Sequence, residues 1–200
     1  RVFIADDHAV IRTGLQLMFD ATPDIELVGE LSTTYGLLDK VKQGAFDLLI
    51  LDVALPGHDP LDLLKDFRRL HPELPVIIFS MYAEERYAQR FLAQGAVAYL
   101  NKERPAEQLI EAIRAAIRGE TYLPPGQQSH PDAKALAGLS DREFQILRLL
   151  AEGTAKAEIA EKLSISKHTI SNHRNRILKK LKLANNAELT RYALQHGVIQ

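Results

Sequence analysis

The 200-residue chain has no cysteine, which excludes disulfides, thiol nucleophiles and zinc–thiolate sites and is compatible with a reducing cytoplasm. It has no run of about 18 apolar residues, so no membrane-spanning helix is expected. The apolar opening Val2-Phe3-Ile4-Ala5 meets Asp6-Asp7 at once, too short a run for a signal peptide. No internal repeat is visible. Net charge is also scarce: 25 basic and 26 acidic residues give −1. That near-neutrality conceals an asymmetry. Residues 1–119 carry 13 Lys and Arg against 18 Asp and Glu, a net −5, whereas residues 120–200 carry 12 against 8, a net +4. Opposite signs in the two halves point to two domains with different partners. A hydrophobic content of 46% with 26% charged residues is that of a folded globular protein and excludes disorder for most of the length.

In the first half, apolar runs alternate with amphipathic stretches. The runs are Val2–Ala5, Ile25–Val28, Leu48–Leu51, Val76–Phe79 and Val97–Leu100. Three are almost wholly apolar, as strands covered on both faces are. One intervening stretch places Val10, Gly14, Leu17 and Met18 on a stripe; another places Leu109, Ile113, Ala116 and Ile117 on one, between a starting Pro105 and a stopping Gly119. Five βα repeats predict an α/β doubly wound, five-stranded parallel sheet. Residues 120–138, with Pro124, Pro125, Gly126, Pro131 and Gly138, read as an exposed linker. From residue 139 to 200 the pattern is a small all-α domain. Ser140-Asp141-Arg142-Glu143 is a capping box opening a helix with Phe144, Leu147, Leu150 and Ala151, closed by Gly153. Thr154 is expected to cap a short helix with Ile159, Ala160 and Leu163. Ser164-Ile165-Ser166 turns the chain, Ser166 caps a third helix to about Lys182, and Asn185-Asn186 open a fourth that ends at Gly197.

Doubly wound sheets bind ligands at the carboxyl ends of their strands. Those ends carry Asp6 and Asp7, Asp52, Ser80 and, near the fifth, Lys102. Clustered carboxylates repel one another and call for a counter-cation. With oxygen ligands and no sulfur, the ion favoured is hard, such as Mg²⁺. An ammonium and a hydroxyl beside it suit a transferred phosphoryl group, and a carboxylate can accept that group as nucleophile. Asp52, at the end of the central strand, is the candidate. Singly, Asp6 or Asp7 reads equally well as a helix cap and Asp52 as a turn opener; the set at matching strand ends carries the argument.

These residues resemble a known family. Ile4-Ala5-Asp6-Asp7-His8, Leu51-Asp52 with Leu55-Pro56-Gly57, Phe79-Ser80, Tyr99 and Lys102 are similar to the CheY-like receiver domain of response regulators, over residues 1–119. The resemblance implies phosphorylation of Asp52 by a sensor histidine kinase. It implies Mg²⁺ held by Asp7, Asp52 and the backbone carbonyl of Ala54, with Asp6 assisting. Ser80 and Tyr99 would shift together as the switch, and Lys102 would pair with the phosphoryl group. Two positions depart from the pattern: Leu55 where Met is frequent, and Pro60 where Gly is usual.

The second half contains a basic helix. Residues 167–182 hold Lys167, Arg174, Arg176, Lys179, Lys180 and Lys182 and no acid. Ile170, Ile177, Leu178 and Leu181 form its buried stripe, while His168, Ser171, Asn172, Asn175, Arg176, Lys179 and Lys182 line the other side. Short polar groups near the start and cations toward the end suit a recognition helix in a major groove; a merely solvated charged face is the plain alternative. His173, at the edge of the apolar stripe, reads as a packed, hydrogen-bonded side chain. Together with the short helix before it, this is a helix-turn-helix. Leu139-Ser140, Arg142-Glu143, Leu149–Gly153, Glu158-Ile159-Ala160, Leu163, Ile165-Ser166, Thr169-Ile170, His173 and Lys180-Leu181 resemble the LuxR-type output domain, and the whole chain resembles the NarL/FixJ type of response regulator. Ser171 departs from the frequent Lys. With Lys167 and Thr169 added, the exposed residues above form the expected DNA-contacting set.

The resemblance implies a bacterial cytoplasmic transcription factor controlled by phosphorylation of Asp52, with Mg²⁺, a histidine kinase, double-stranded DNA and a second copy of itself as partners, and no turnover of an external substrate. The final helix, with Leu189, Ala193 and Leu194 on one face, is the expected dimer contact, or else packs on its own domain. Two other readings stay open: a phosphorylation-independent DNA binder with a relic pocket, and a Mg²⁺-dependent phosphatase or phosphotransferase.

Overall fold

The β-branched and leucine-rich runs of the first half form five strands in a computed structural model that describes residues 1–82, 84–124, 139–163, 165–196 and 198–199. They are β1 (Val2–Ala5), β2 (Leu27–Leu31), β3 (Leu48–Leu51), β4 (Val76–Ser80) and β5 (Ala98–Asn101). All pair in parallel, in the order β2-β1-β3-β4-β5. Parallel neighbours require crossovers, supplied by α1 (Ala9–Asp20), α2 (Leu37–Gln43), α3 (Pro60–Leu70), α4 (Glu84–Ala93) and α5 (Ala106–Ile117). β1, β3 and β4 are buried along their whole length, whereas the edge strand β2 alternates. On one face, Val2, Ile4, Leu48, Ile50, Ile77, Phe79, Ala98 and Leu100 pack with α1 and α5. The expected second strand starts later than Ile25 because Ile25 N–H closes a turn on the Thr22 carbonyl and its side chain joins the core.

Helix α1 departs from its expected stripe. Leu15 and Phe19 are buried, while Val10 is 84% and Leu17 66% exposed. The Leu15–Phe19 pair, one turn apart, offers more apolar area to the sheet than a stripe containing Gly14, so it sets the rotation of the helix. In α5, Leu109, Ile113 and Ala116 are buried as expected, but Ile117 lies exposed. Of the expected linker, Tyr122 is tied back to the sheet: its N–H donates to the Val97 carbonyl at 2.9 Å and its hydroxyl to Glu111 at 3.0 Å. Pro125 to Gly138 lie outside the described residues.

The loop from β3 to α3 is clasped from the side. Thr34 N–H donates to the Pro56 carbonyl at 2.9 Å, and Thr34 Oγ1 accepts from His58 N–H. Gly57 sits between them at φ 119°. Asp59 then caps α3 through Leu61 N–H at 2.9 Å. Pro60 is the first residue of α3, where a missing N–H costs nothing, so this departure from the family pattern is accommodated by a helix start.

The chain divides into two compact units, Arg1–Gln127 and Gln128–Gln200. The second contains α6 (Asp141–Ala151), α7 (Lys156–Lys162), α8 (Lys167–Leu181) and α9 (Asn186–Gln195). The Ser140–Glu143 capping box forms in both directions. Ser166 caps α8 and Asn185 caps α9. Thr154 does not cap α7: its N–H is engaged in ending α6, donating to the Leu149 carbonyl at 3.0 Å beyond Gly153 at φ 84°, and Ala155 precedes α7 without a side-chain cap. Phe144, Leu147, Ile159, Ile170, Ile177, Leu189 and Ala193 are buried. Ser164 and Gly197 lie outside the described residues.

The clasp yields a prediction. A Cβ on Gly57 would meet Thr34 Oγ1 at 2.1 Å in a backbone conformation that L-residues avoid. Gly57→Ala should destabilise the first unit by about 1–3 kcal/mol in urea unfolding followed by circular dichroism; an unchanged midpoint would show that Thr34 yields freely.

Candidate functional site

β1 and β3 are neighbours, so their carboxyl ends bring Asp6 and Asp52 side by side; β5 ends just before Lys102, which reaches across β4 to both. Lys102 Nζ lies 2.6 Å from Asp6 Oδ2 and 2.8 Å from Asp52 Oδ2, and all three side chains are at most 2% exposed. Asp52 Oδ1 accepts from Ala54 N–H at 3.0 Å. Burial pushes the Asp52 carboxyl above the usual aspartate range, with the Lys102 ammonium opposing that rise. Asp7 is more open, on the rim. The residue after it, His8, turns inward: its Nδ1 is 2.8 Å from Asp7 Oδ1, 3.2 Å from Asp6 Oδ1 and 3.8 Å from Asp52 Oδ2. Donor atoms of Asp6, Asp7, His8 and Asp52 lie within 4.8 Å of one another. Three carboxylates without sulfur match a divalent, oxygen-preferring cation.

Ser80 ends β4 fully buried, its Oγ accepting from Tyr82 N–H at 3.2 Å. Tyr99, on β5, is also fully buried, and its hydroxyl donates to the Tyr82 carbonyl at 3.2 Å. Burial raises the Tyr99 phenol well above its ordinary range, so it remains a donor. Beside them, Glu84 is 3% exposed and doubly engaged. It accepts Asn101 N–H at 2.6 Å and Arg104 Nε at 3.1 Å, and it forms an ion pair with Arg104 Nη2 at 2.5 Å. The start of α4 is thereby fixed to the β5–α5 corner.

In the second unit, the turn between α7 and α8 is held from α6. Arg142 Nη2 donates to the Leu163 carbonyl at 2.6 Å, and Nη1 to Gln145 Oε1 at 2.7 Å. Glu143, nearly buried, joins its cap to α8 by accepting from Lys180 Nζ at 2.6 Å. Burial works against the Glu143 carboxylate, but Lys180 and the Ser140 N–H hold its carboxyl below the usual glutamate range. The expected α8 stripe is buried: Ile170, Ile177, Leu178 and Leu181. Lys167, His168, Asn172, Asn175, Arg176, Lys179 and Lys182 are exposed, and Thr169 and Ser171 half-buried. Thr169 N–H donates to Ser166 Oγ at 3.0 Å, and Ser171 Oγ to the Lys167 carbonyl at 3.2 Å. Arg174 Nη1 donates to Asn175 Oδ1 at 3.1 Å. Lys182 ends the helix at φ 57°. His173 is packed as expected but not hydrogen-bonded through its inner nitrogen: Nδ1 is buried with no partner among the described residues. Burial, aided by Arg176, holds its pKa below the usual histidine range.

The response regulator receiver domain matches residues 2–114, and the luxR family of bacterial regulatory proteins matches residues 137–193. This chain belongs to the response regulator family. It is a two-component response regulator with a LuxR-type DNA-binding domain. Oxygen regulatory protein NreC of Staphylococcus carnosus is 36% identical across 100% of this chain and 99% of its own length. The NreC of Staphylococcus epidermidis is 34% identical with the same coverage. Among solved structures, RcsB of Salmonella typhimurium, described for its conformational dynamism in DNA interaction, has a TM-score of 0.81 at 26% identity, covering 98% of this chain and 97% of its own. RcsB of Salmonella enterica serovar Typhimurium bound to promoter rprA with phosphomimetic BeF3⁻ has a TM-score of 0.78 at 27% identity, covering 96% of each chain.

The response regulator's pocket thus gathers Asp6, Asp7, Asp52 and Lys102 in one place, with Ser80 and Tyr99 behind them. Sequence reasoning quoted His8 only as part of a motif and missed its inward turn; its position directly after two strand-end acids was the available signal. The Glu84–Arg104 pair and the Arg142 brace had no signal in spacing, because each joins positions about 20 residues apart through the fold.

Asp52 gives a pH prediction. With its carboxyl raised by burial, the folded state holds this proton to higher pH than the unfolded chain does. Its contribution favours folding below the unfolded pKa and is lost as pH rises through the folded one. In metal-free buffer, the side-chain carbonyl NMR signal of Asp52 should titrate above an ordinary aspartate. Lys102→Met removes the opposing ammonium and should push that midpoint higher still. A midpoint at or below the ordinary value would reverse the assigned balance.

Proposed function

We propose that Asp52 is the phosphorylation site through which this response regulator is switched, with residues 1–119 as receiver, 120–138 as linker and 139–200 as DNA-binding domain. The supporting observation is the buried Lys102 bridge between Asp6 and Asp52 at 2.6 and 2.8 Å. An Asp52 oxygen forms a P–O bond to the phosphoryl group of a kinase phosphohistidine as the P–N bond breaks, and the imidazole leaves with a proton. Lys102 opposes the rise that burial imposes on the Asp52 carboxyl beforehand and pairs with the added phosphoryl charge afterwards. Asp6, Asp7, Asp52 and the Ala54 carbonyl are the residues that would hold Mg²⁺; when bound, it neutralises charge on the transferring phosphoryl group. Ser80 and Tyr99 answer the new charge, Ser80 by its hydroxyl and Tyr99 by moving with it. Asp52 accepts one phosphoryl group per cycle, and the protein acts as a switch rather than on an external substrate.

The output is DNA binding in the cytoplasm, with no described helix long and apolar enough to cross a membrane. RcsB is described bound to promoter DNA and as dimers on DNA. By analogy, this chain pairs two half-sites as a homodimer. Leu189 and Ala193 are buried in their own domain, so the α9 face offered for dimer contact reduces to exposed residues such as Leu194, 51% exposed. On this reading Asn172 and Asn175 meet base edges and Lys179 and Lys182 meet phosphates, with Lys167, His168, Thr169, Ser171 and Arg176 completing the DNA-contacting set.

Three outcomes test this reading. Acetyl phosphate with Mg²⁺ should add one phosphoryl group by intact mass, and neither Asp52→Asn nor omission of Mg²⁺ should allow it; a mass gain in Asp52→Asn sinks the assignment. Adenine pairing uses both the donor and the acceptor of an amide, and Asn175 Oδ1 keeps a second lone pair beside the Arg174 contact. Asn175→Ala should relax base preference at one or two positions, costing about 1–3 kcal/mol at the preferred site alone. Lys179→Ala should weaken all sequences alike and reduce the salt slope by about one. Unaltered preferences in Asn175→Ala against a randomised half-site would remove it from base reading.

A further inference from the structure

Asn175 lies exposed on α8, but its amide is held. The last torsion of an asparagine is broad and has two comparable wells, so an unheld amide samples both placements of its carbonyl and NH₂. Arg174 selects between them. Arg174 Nη1 donates to Asn175 Oδ1 at 3.1 Å, and Arg174 Nε donates to Asn186 Oδ1 at 2.5 Å. Asn186 is the first residue of α9, and the start of α9 is closed without its side chain. Asn185 Oδ1 accepts from Glu188 N–H at 2.9 Å, and Glu188 Oε2 accepts from Ala184 N–H at 2.7 Å. The Asn186 carbonyl is therefore spare for Arg174. A guanidinium carries its donors in a rigid plane, so a grip at Nε fixes where Nη1 lies. The half-buried Arg174 thus connects α9 to the amide beside it. With Oδ1 turned to Arg174, the NH₂ of Asn175 is turned away from it.

We propose that Arg174 is a positioning residue for sequence readout: tethered to Asn186, it holds the Asn175 amide in one of its two orientations and so sets which base edge that amide accepts. The proposal rests on the reading of Asn175 as a base reader and adds what fixes the amide. An amide pairs with adenine only with its NH₂ at N7 and its carbonyl at the 6-amino group. The flipped amide sets donor against donor and acceptor against acceptor. Asn175 Oδ1 gives one lone pair to Arg174 and keeps the other for a base. An amide already held in the matching orientation pays no ordering cost on the preferred site, so discrimination between bases is sharper than a free asparagine provides.

The test is base selection by the full chain on a randomised half-site at two salt concentrations. Arg174→Met and Asn186→Ala should each reduce the preference for the favoured base about threefold to tenfold, at the positions that Asn175→Ala relaxes and at no others. Asn186→Ala leaves the Asn185 cap in place and removes no charge, so its salt slope should equal that of the wild type. In an Asn175→Ala background, neither substitution should change the preference further, because no amide is left to orient. Wild-type preferences in either Arg174→Met or Asn186→Ala overturn the positioning role while the base-reading role of Asn175 stands. So does a loss at other positions, or one that persists in the Asn175→Ala background. Unaltered preferences in Asn175→Ala itself overturn both readings together.

Discussion

One ammonium shared by two buried carboxylates is the constraint on which the first unit depends. Asp6 and Asp52 are adjacent only because β1 and β3 pair in register, Ala5 opposite Leu51. Without Lys102, two negative charges would sit a few ångströms apart in a site nearly closed to water, a cost of several kcal/mol. The order of the strands is therefore also an electrostatic arrangement. β5 must lie beyond β4, so that Lys102 follows its end and reaches back over Ser80. With one cation to two buried acids, the pocket keeps a negative balance, which suits an entering divalent ion.

The second unit solves a different problem with similar means. A helix carrying many like charges is held against its neighbours by an apolar stripe and two polar braces. Glu143 serves the start of α6 and Lys180 of α8 together. Arg142 ties the tight turn to α6 through a backbone carbonyl. Of the two, only the Glu143–Lys180 contact falls on α8, and it leaves Asn172, Arg176, Lys179 and Lys182 exposed.

Much of this was legible in the sequence because it depends on period and position. Four of the five strand runs read as apolar blocks lie within one residue of the strands observed. The rule that ligands meet at carboxyl ends then named Asp6, Asp7, Asp52, Ser80 and Lys102 without coordinates. Caps at Ser140, Ser166 and Asn185 follow from side chains that bond their own backbone within one turn. What stayed hidden depends on competition or on distance in sequence. The face of α1 was misread because Leu15 and Phe19 outweigh a stripe drawn by spacing alone. Thr154 resembles a cap, but the end of α6 uses it first. Leu189 and Ala193 were as consistent with a core as with an interface, and burial decided between them. His8 gave no periodic signal; only the turn of its backbone around Asp6 brings it inward.

The Glu84 contacts have a mechanical consequence. A carboxylate that grips a strand amide and an arginine at once makes the top of α4, the end of β5 and the start of α5 a single rigid corner. Ser80 enters that corner from β4, through Lys102 N–H bonded to its carbonyl at 2.8 Å. The end of β4 is therefore joined to that corner as a hinge leaf is joined to its plate, through the main chain and not through side chains alone.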